Sequence, residues 1–239
     1  MTTRKPLLIP IMLTLAFAGV CGRLGVWQLR RLEERRSWNS HLDQRLAAAP
    51  SAVTLLPPDT SSGHYRRVIA RGTYDYAGQV SLAGRSSLGS PGVHLFTPLR
   101  LADGALVIVN RGWVYAPDAM TVDAARWREH DGDPVTVLGY ADTWTGRETA
   151  PVSNGRHIVR ELDSAAVARL VGAPILPYYI VQTSDSASGP DRPVRLGEPV
   201  LDDGSHRSYA IQWFSFALIA VVGGTLLVRE ELVRRRASA

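Results

Sequence analysis

"PGVHLFTPLRLADGALVIVNRGWV", residues 91–114, carries two apolar runs separated by Asp103-Gly104. The runs "VHLFTPLRL" and "ALVIVNRGW" are rich in β-branched and aromatic residues, and the dipeptide between them tolerates positive φ. This predicts a hairpin with a two-residue turn. The second strand ends on Asn110, Arg111, Gly112 and Trp113, which are an amide, a guanidinium, a residue without a side chain and an indole. Arg111 offers five donors in a rigid fork suited to a carboxylate, whether of a bound ligand, of a partner's acidic side chain or of the protein's own Asp. Gly112 permits a turn or a close approach, and Trp113 supplies a large face with one N–H. A self-contained reading has Asn110 and Arg111 closing the sheet end internally, with Trp113 in the core.

Outward from this hairpin the texture stays strand-like. "YRRVIARGTY" (65–74) and "QVSLAGRS" (79–86) precede it, while "PVTVLGYAD" (134–142) and "PYYIVQT" (177–183) follow, each bounded by Gly, Pro or Asp. Residues 118–130 and 161–171 read as short helices, the second capped by Asp163 or Ser164. The stretch 184–205 has the Pro/Gly/Ser composition of a loop. The expected body is an antiparallel sheet or small barrel with a few helices over 64–183.

Beyond this body the chain turns apolar at both ends. Residues 7–27, "LLIPIMLTLAFAGVCGRLGVW", carry one charge, Arg23, and residues 209–228, "YAIQWFSFALIAVVGGTLLV", carry none. About 20 helical residues cover a hydrocarbon core of roughly 30 Å. Trp27, Tyr209 and Trp213 mark the ends that face the middle of the chain, where interfacial rings belong. The expected architecture is therefore an α+β membrane protein, with two transmembrane helices flanking residues 28–208. Its termini (1–6 and the basic tail 229–239) lie on the cytoplasmic side. A second reading takes the first run as a cleaved signal peptide, with Arg4 and Lys5 as its basic start and Ala16-Phe17-Ala18 as its cleavage site. Ala18/Gly22 and Ala220/Gly224, each four apart, mark candidate helix contacts. Residues 28–48, with leucines among alternating charges, read as a helical stalk that "APSAVTLLPPD" breaks.

Composition narrows the chemistry. The formal charge is +5 and Lys5 is the only lysine. No basic stripe interleaved with aromatics occurs, so nucleic acid is not an expected partner. The lone Cys21 excludes internal disulfides and paired-cysteine sites. The six histidines stand singly, and Asp131/Asp133 and Asp202/Asp203 sit in turn-like contexts. No nucleophile elbow, zinc-helix motif, P-loop or dinucleotide fingerprint is present. The expectation is a protein that is not an enzyme and has no metal site of its own.

Four blocks together resemble the surfeit locus protein one family: "GVWQLRRLEER", "YRRVIARGTYD", residues 91–114 and "YAIQWFSFA". The family's elements match at Gly25, Trp27 and Gln28; Gly72 and Tyr74; Asn110, Arg111, Gly112 and Trp113; and Tyr209, Gln212 and Trp213. The resemblance implies a two-span membrane protein that assists assembly of cytochrome c oxidase, with its central domain outside the cytoplasm. For a bacterial chain that places it in the plasma membrane. It implies partners in the bilayer, namely oxidase subunit I and other oxidase or cytochrome bc subunits. The alternative is a structural accessory subunit that stays with the mature oxidase or with an oxidase–cytochrome bc supercomplex. The resemblance also implies transient binding of haem a by a histidine ahead of the second span, where the family has His-Leu-x-Tyr and this chain has His206, Arg207, Ser208 and Tyr209. Arg207, in place of the leucine, or Arg111 could then meet a haem propionate. The plain reading of His206 is a solvated loop residue.

Overall fold

A computed structural model describes residues 8–128, 134–144, 157–183 and 191–237. The proposed N-terminal segment 1–6, His130, Asp131, Asp133 and the first part of the 184–205 loop lie outside them. The chain forms two compact units, one of residues 1–41 with 201–239 and one of residues 42–200.

The first unit is built on two long helices, α1 (Leu8–Ala47) and α4 (His206–Ala237). α1 continues without a break from the apolar run through the charged stalk, because nothing between residues 8 and 47 interrupts a helix: Pro10 falls in its first turn, where proline is tolerated. Arg31 and Glu34 pair across one turn at 2.7 Å. Both helices are long and apolar enough to cross a membrane. Their large apolar side chains, including Leu13, Phe17, Leu218 and Ile219, are mostly exposed, which suits lipid rather than water. The arrangement is compatible with a two-span membrane protein.

The close contacts between α1 and α4 include one of the expected small residues, Gly224, and not another, Gly22. A Cβ at Gly22 would meet nothing within 4 Å, whereas Gly224 lies against Thr14 and Gly25 against the Phe214 ring. Cys21 is buried on the same stretch of α1. The loop entering α4 is tied to α1 by polar contacts. Asn39 Nδ2 donates to the Asp202 carbonyl at 2.8 Å, and Arg36 Nε pairs with Asp203 Oδ2 at 2.8 Å. Asp202 also accepts from the Gly204 amide, so this acidic pair does form a turn.

The second unit is an eight-stranded sheet of β1 (Ser51–Ala52), β2 (Arg67–Tyr74), β3 (Val80–Ser87), β4 (Ser90–Leu101), β5 (Leu106–Tyr115), β6 (Val135–Thr143), β7 (Ile158–Val159) and β8 (Tyr178–Gln182). Two short helices, α2 (Thr60–Gly63) and α3 (Ser164–Val171), accompany it. The strand order is β1-β2-β6-β8-β5-β4-β3-β7, and β2 also pairs with β4 beyond its pairing with β6. Hydrogen bonds therefore run in a ring through β2, β6, β8, β5 and β4.

The sheet is mixed, not antiparallel as expected. β1/β2, β3/β7 and β5/β8 are parallel pairs. The last strand, β8, inserts between β5 and β6, and every one of its residues is buried. A strand covered on both faces loses the alternation that marks a half-exposed one; β2, by contrast, alternates buried and exposed residues. Val68, Ala70, Leu99, Leu101, Val107, Val109, Val137, Ala141, Tyr178 and Ile180 form the core within the ring.

Two further expectations change. The β4–β5 turn has three residues, 102–104, with the Gly104 amide bonded to the Leu101 carbonyl and only Gly104 at positive φ. The helix expected over 118–130 is reduced to a single 3-10 turn, Ala124–Trp127. Asp118 instead accepts from the amides of Met120 and Thr121, competing locally with helix formation. The expected second helix starts at Ser164, with Asp163 as its cap through the Ala166 amide.

Tyr178 ties the segment before α2 to the start of β8. Its buried ring sends the hydroxyl to the carbonyls of Pro57 and Asp59, the latter at 2.7 Å. Tyr178→Phe leaves both carbonyls without this donor. It is expected to lower unfolding stability by about 1–2 kcal/mol, read from denaturant unfolding of the full chain in detergent.

Candidate functional site

The Asn-Arg-Gly-Trp element sits on a β-bulge. Leu95 pairs with Gly112 but Phe96 pairs with Asn110, so Arg111 is an extra residue on β5. The bulge shifts the parity of the strand. Val107 and Val109 before it and Val114 after it are thereby placed on one face, opposite Leu99, Thr97 and Val93.

Arg111 is 0% exposed, one of the largest fully buried side chains among the described residues. Its Nη1 donates to Gln79 Oε1 at 3.0 Å, its Nη2 donates to the Trp127 carbonyl, and Tyr74 and Tyr76 lie 5.4 and 5.1 Å from the guanidinium carbon. Gln79 Oε1 also accepts from Thr97 at 2.9 Å. Burying a charge is costly unless donors are satisfied, and here carbonyl-type oxygens and ring faces do so. Arg111 thus presents nothing to the surface.

The other three members serve the same sheet end. Asn110 Oδ1 accepts from the Gly112 amide at 3.1 Å. Gly112 has φ +123°, and a Cβ there would lie 2.2 Å from the Val194 carbonyl oxygen. That space admits the 194 segment, which exchanges two 2.8 Å backbone hydrogen bonds with Trp113. Arg195 reaches the Arg111 carbonyl at 2.6 Å. Trp113 is half-buried rather than core: its indole nitrogen lies against Gly92, and it pairs in register with His94.

His94 sits close to Asn110, with Asn110 Nδ2 3.5 Å from its Nδ1. Burial, and secondarily the charge of Arg85, holds its pKa down at about 4.

A second polar cluster was invisible in the sequence. Asp142 and Tyr179 are cross-strand partners on β6 and β8, and the phenol donates to Asp142 Oδ2 at 2.8 Å. His64 Nε2 meets Asp142 Oδ1 at 2.9 Å. Burial, followed by the Asp142 charge, pushes the Tyr179 and Tyr140 phenols well above their ordinary range. Both carboxylate oxygens are engaged, so the cluster reads as a satisfied internal network. Only the strand register could have revealed it. Among the described residues no group of His, Cys, Asp and Glu could hold a metal ion.

The remaining predicted residues lie in the first unit. His206 opens α4, and its Nδ1 is 2.9 Å from Oε1 of the buried Gln28 on α1. Residues 178 positions apart are thereby joined. Arg207, Tyr209 and Gln212 are exposed, as is Trp27. Trp213 is half-buried and edge-on to Phe216 at 5.9 Å. A half-buried imidazole followed by an exposed guanidinium is a donor set that fits a haem: the first suits the iron and the second a propionate.

A model of the SURF1 family matches residues 15–218, a span that contains all of these elements. The chain belongs to the SURF1 family. It is similar to an uncharacterised SURF1-like protein of Mycobacterium tuberculosis, at 29% identity over 95% of this chain and 86% of that one. It is also similar to Surfeit locus protein 1 of Takifugu rubripes, at 27% identity over 80% of this chain and 85% of the fish protein. Surfeit locus protein 1 of Mus musculus is 25% identical over 80% of this chain and 66% of its own length.

Two measurements check the Asn-Arg-Gly-Trp end of the sheet. Gly112→Ala must move the Val194 backbone and adopt a strained φ, so it is expected to cost about 3 kcal/mol in denaturant unfolding. His94 is neutral when folded and binds its proton more readily when unfolded. Its contribution is therefore complete above the ordinary histidine value of 6.5 and is lost as pH falls from there towards 4. His94→Gln should flatten the stability–pH curve over that window by at most ~3 kcal/mol.

Proposed function

We propose that this protein is a non-catalytic assembly factor for a haem-copper cytochrome c oxidase, acting on subunit I during insertion of haem a. Membership of the SURF1 family supports the oxidase as the client. The observation that carries the haem reading is the meeting of two distant family elements in one polar contact, His206 with Gln28. α1 and α4 anchor the chain in the plasma membrane, with its termini in the cytoplasm and residues 28–208 outside. Their exposed apolar side chains, such as Leu15, Val20, Ile211 and Leu218, are available to helices of subunit I in the bilayer. His206 supplies the imidazole for the haem iron, and Arg207 the guanidinium for a propionate. Asn110, Arg111, Gly112 and Trp113 hold the outer domain together and do not touch the client.

Deleting the gene is expected to lower the haem a content and activity of the oxidase, with both restored by the wild-type chain. Purified protein from cells that make haem a is expected to show a haem absorption that His206→Ala removes. An oxidase with normal haem a content after deletion would end the assembly reading. Co-purification at fixed stoichiometry with fully haem-loaded oxidase would replace it with a structural accessory subunit.

A further inference from the structure

We infer that Gln28 is a positioning residue that fixes the tautomer of His206, with its hydrogen on Nδ1 and its lone pair on Nε2. The inference deepens the haem reading above and rests on it for the identity of the ligand. A neutral imidazole carries one N–H and one acceptor nitrogen, whereas an amide oxygen only accepts. Gln28 Oε1 faces Nδ1 at 2.9 Å, so that nitrogen holds the hydrogen and the opposite one holds the lone pair.

Three features make this contact a support rather than an accident of two neighbouring side chains. Gln28 is buried although it is polar, so its carbonyl is not free to turn to water. Gly25, one turn earlier on α1, lets the Phe214 ring of α4 approach its Cα, and a Cβ there would lie 2.7 Å from that ring. This close packing of the two helices sits beside the hydrogen bond. Finally, the preceding loop passes the Nε2 edge of the ring at Gly204. A Cβ at that position would already lie 3.5 Å from His206 Cδ2 and 3.7 Å from Nε2, so a larger side chain would cover the atom that must meet the iron. Among the described residues, no other group hydrogen-bonds to the His206 ring.

A hydrogen bond to the far nitrogen orients an imidazole ligand and raises its basicity, and losing such a partner typically weakens metal binding about 10- to 100-fold. Gln28→Leu removes the acceptor, and Gln28→Glu keeps one. The full chain in detergent is titrated with ferric haem a and followed by absorption. Gln28→Leu is expected to weaken binding at least about tenfold, and Gln28→Glu to restore it; equal affinity in the wild type and Gln28→Leu would overturn the inference.

Nitrogen-15 spectra of histidine-labelled, haem-free protein at alkaline pH provide a readout independent of haem. The His206 signals are identified by their loss in His206→Ala. Wild type should show Nε2 as the unprotonated nitrogen, and Gln28→Leu should mix the two tautomers. Protonated Nε2 in the wild type, or a spectrum indifferent to Gln28→Leu, would overturn the inference even if haem binds. Haem absorption that survives His206→Ala would overturn the ligand reading alone, and the nitrogen spectra would still decide the role of Gln28.

Discussion

A fully buried guanidinium organises the outer domain. Arg111 enters the interior only because β5 gains one residue opposite Leu95 and Phe96. Once inside, it gathers Gln79, Thr97, the Trp127 carbonyl and the rings of Tyr74 and Tyr76 from three separate stretches of chain. The same bulge resets strand parity, so that valines on both sides of it face one way. Gly112 then clears the edge for the 194 segment. Charge burial, register and edge pairing are therefore one feature. An arginine elsewhere on the strand would lack these partners, and a lysine here would lack the planar fork and the ring stacking.

The helical unit follows a different logic. Its two helices bury little apolar area against each other, and most of their large side chains remain exposed. Close contacts between them include Gly25 with Phe214, Gly224 with Thr14 and Gln28 with His206, while Asn39 ties α1 to the Asp202 carbonyl in the loop entering α4. In lipid, close backbone approach and hydrogen bonding carry association in place of the hydrophobic effect. Polar pairs cluster where α1 meets the loop entering α4, and it is there that His206 is found.

Much of this was legible from local pattern. The apolar runs announced α1 and α4 because length and hydropathy are local properties, and the strands around Asp103-Gly104 announced themselves by residue type. Asp163 was readable as a helix cap for the same reason. The direction of β8 was not readable, since "PYYIVQT" is compatible with either direction and its neighbours lie about 40 and 70 residues upstream. The expected helix over 118–130 failed because Asp118 binds the amides just after it. His64, Asp142 and Tyr179 carried no shared spacing and were brought together by register alone.

The chain's order of residues was sufficient to settle what most segments are: apolar helix, strand, loop, and the two family elements that contain Gln28 and His206. It could not settle which segments meet, because an arginine after a strand reads alike whether it faces solvent or sinks into a bulge. Tertiary structure decided that Arg111 is sealed within the sheet and that Gln28 touches His206. Both outcomes depend on partners far along the chain, and such contacts are fixed by packing and register, which a local pattern of residues does not encode.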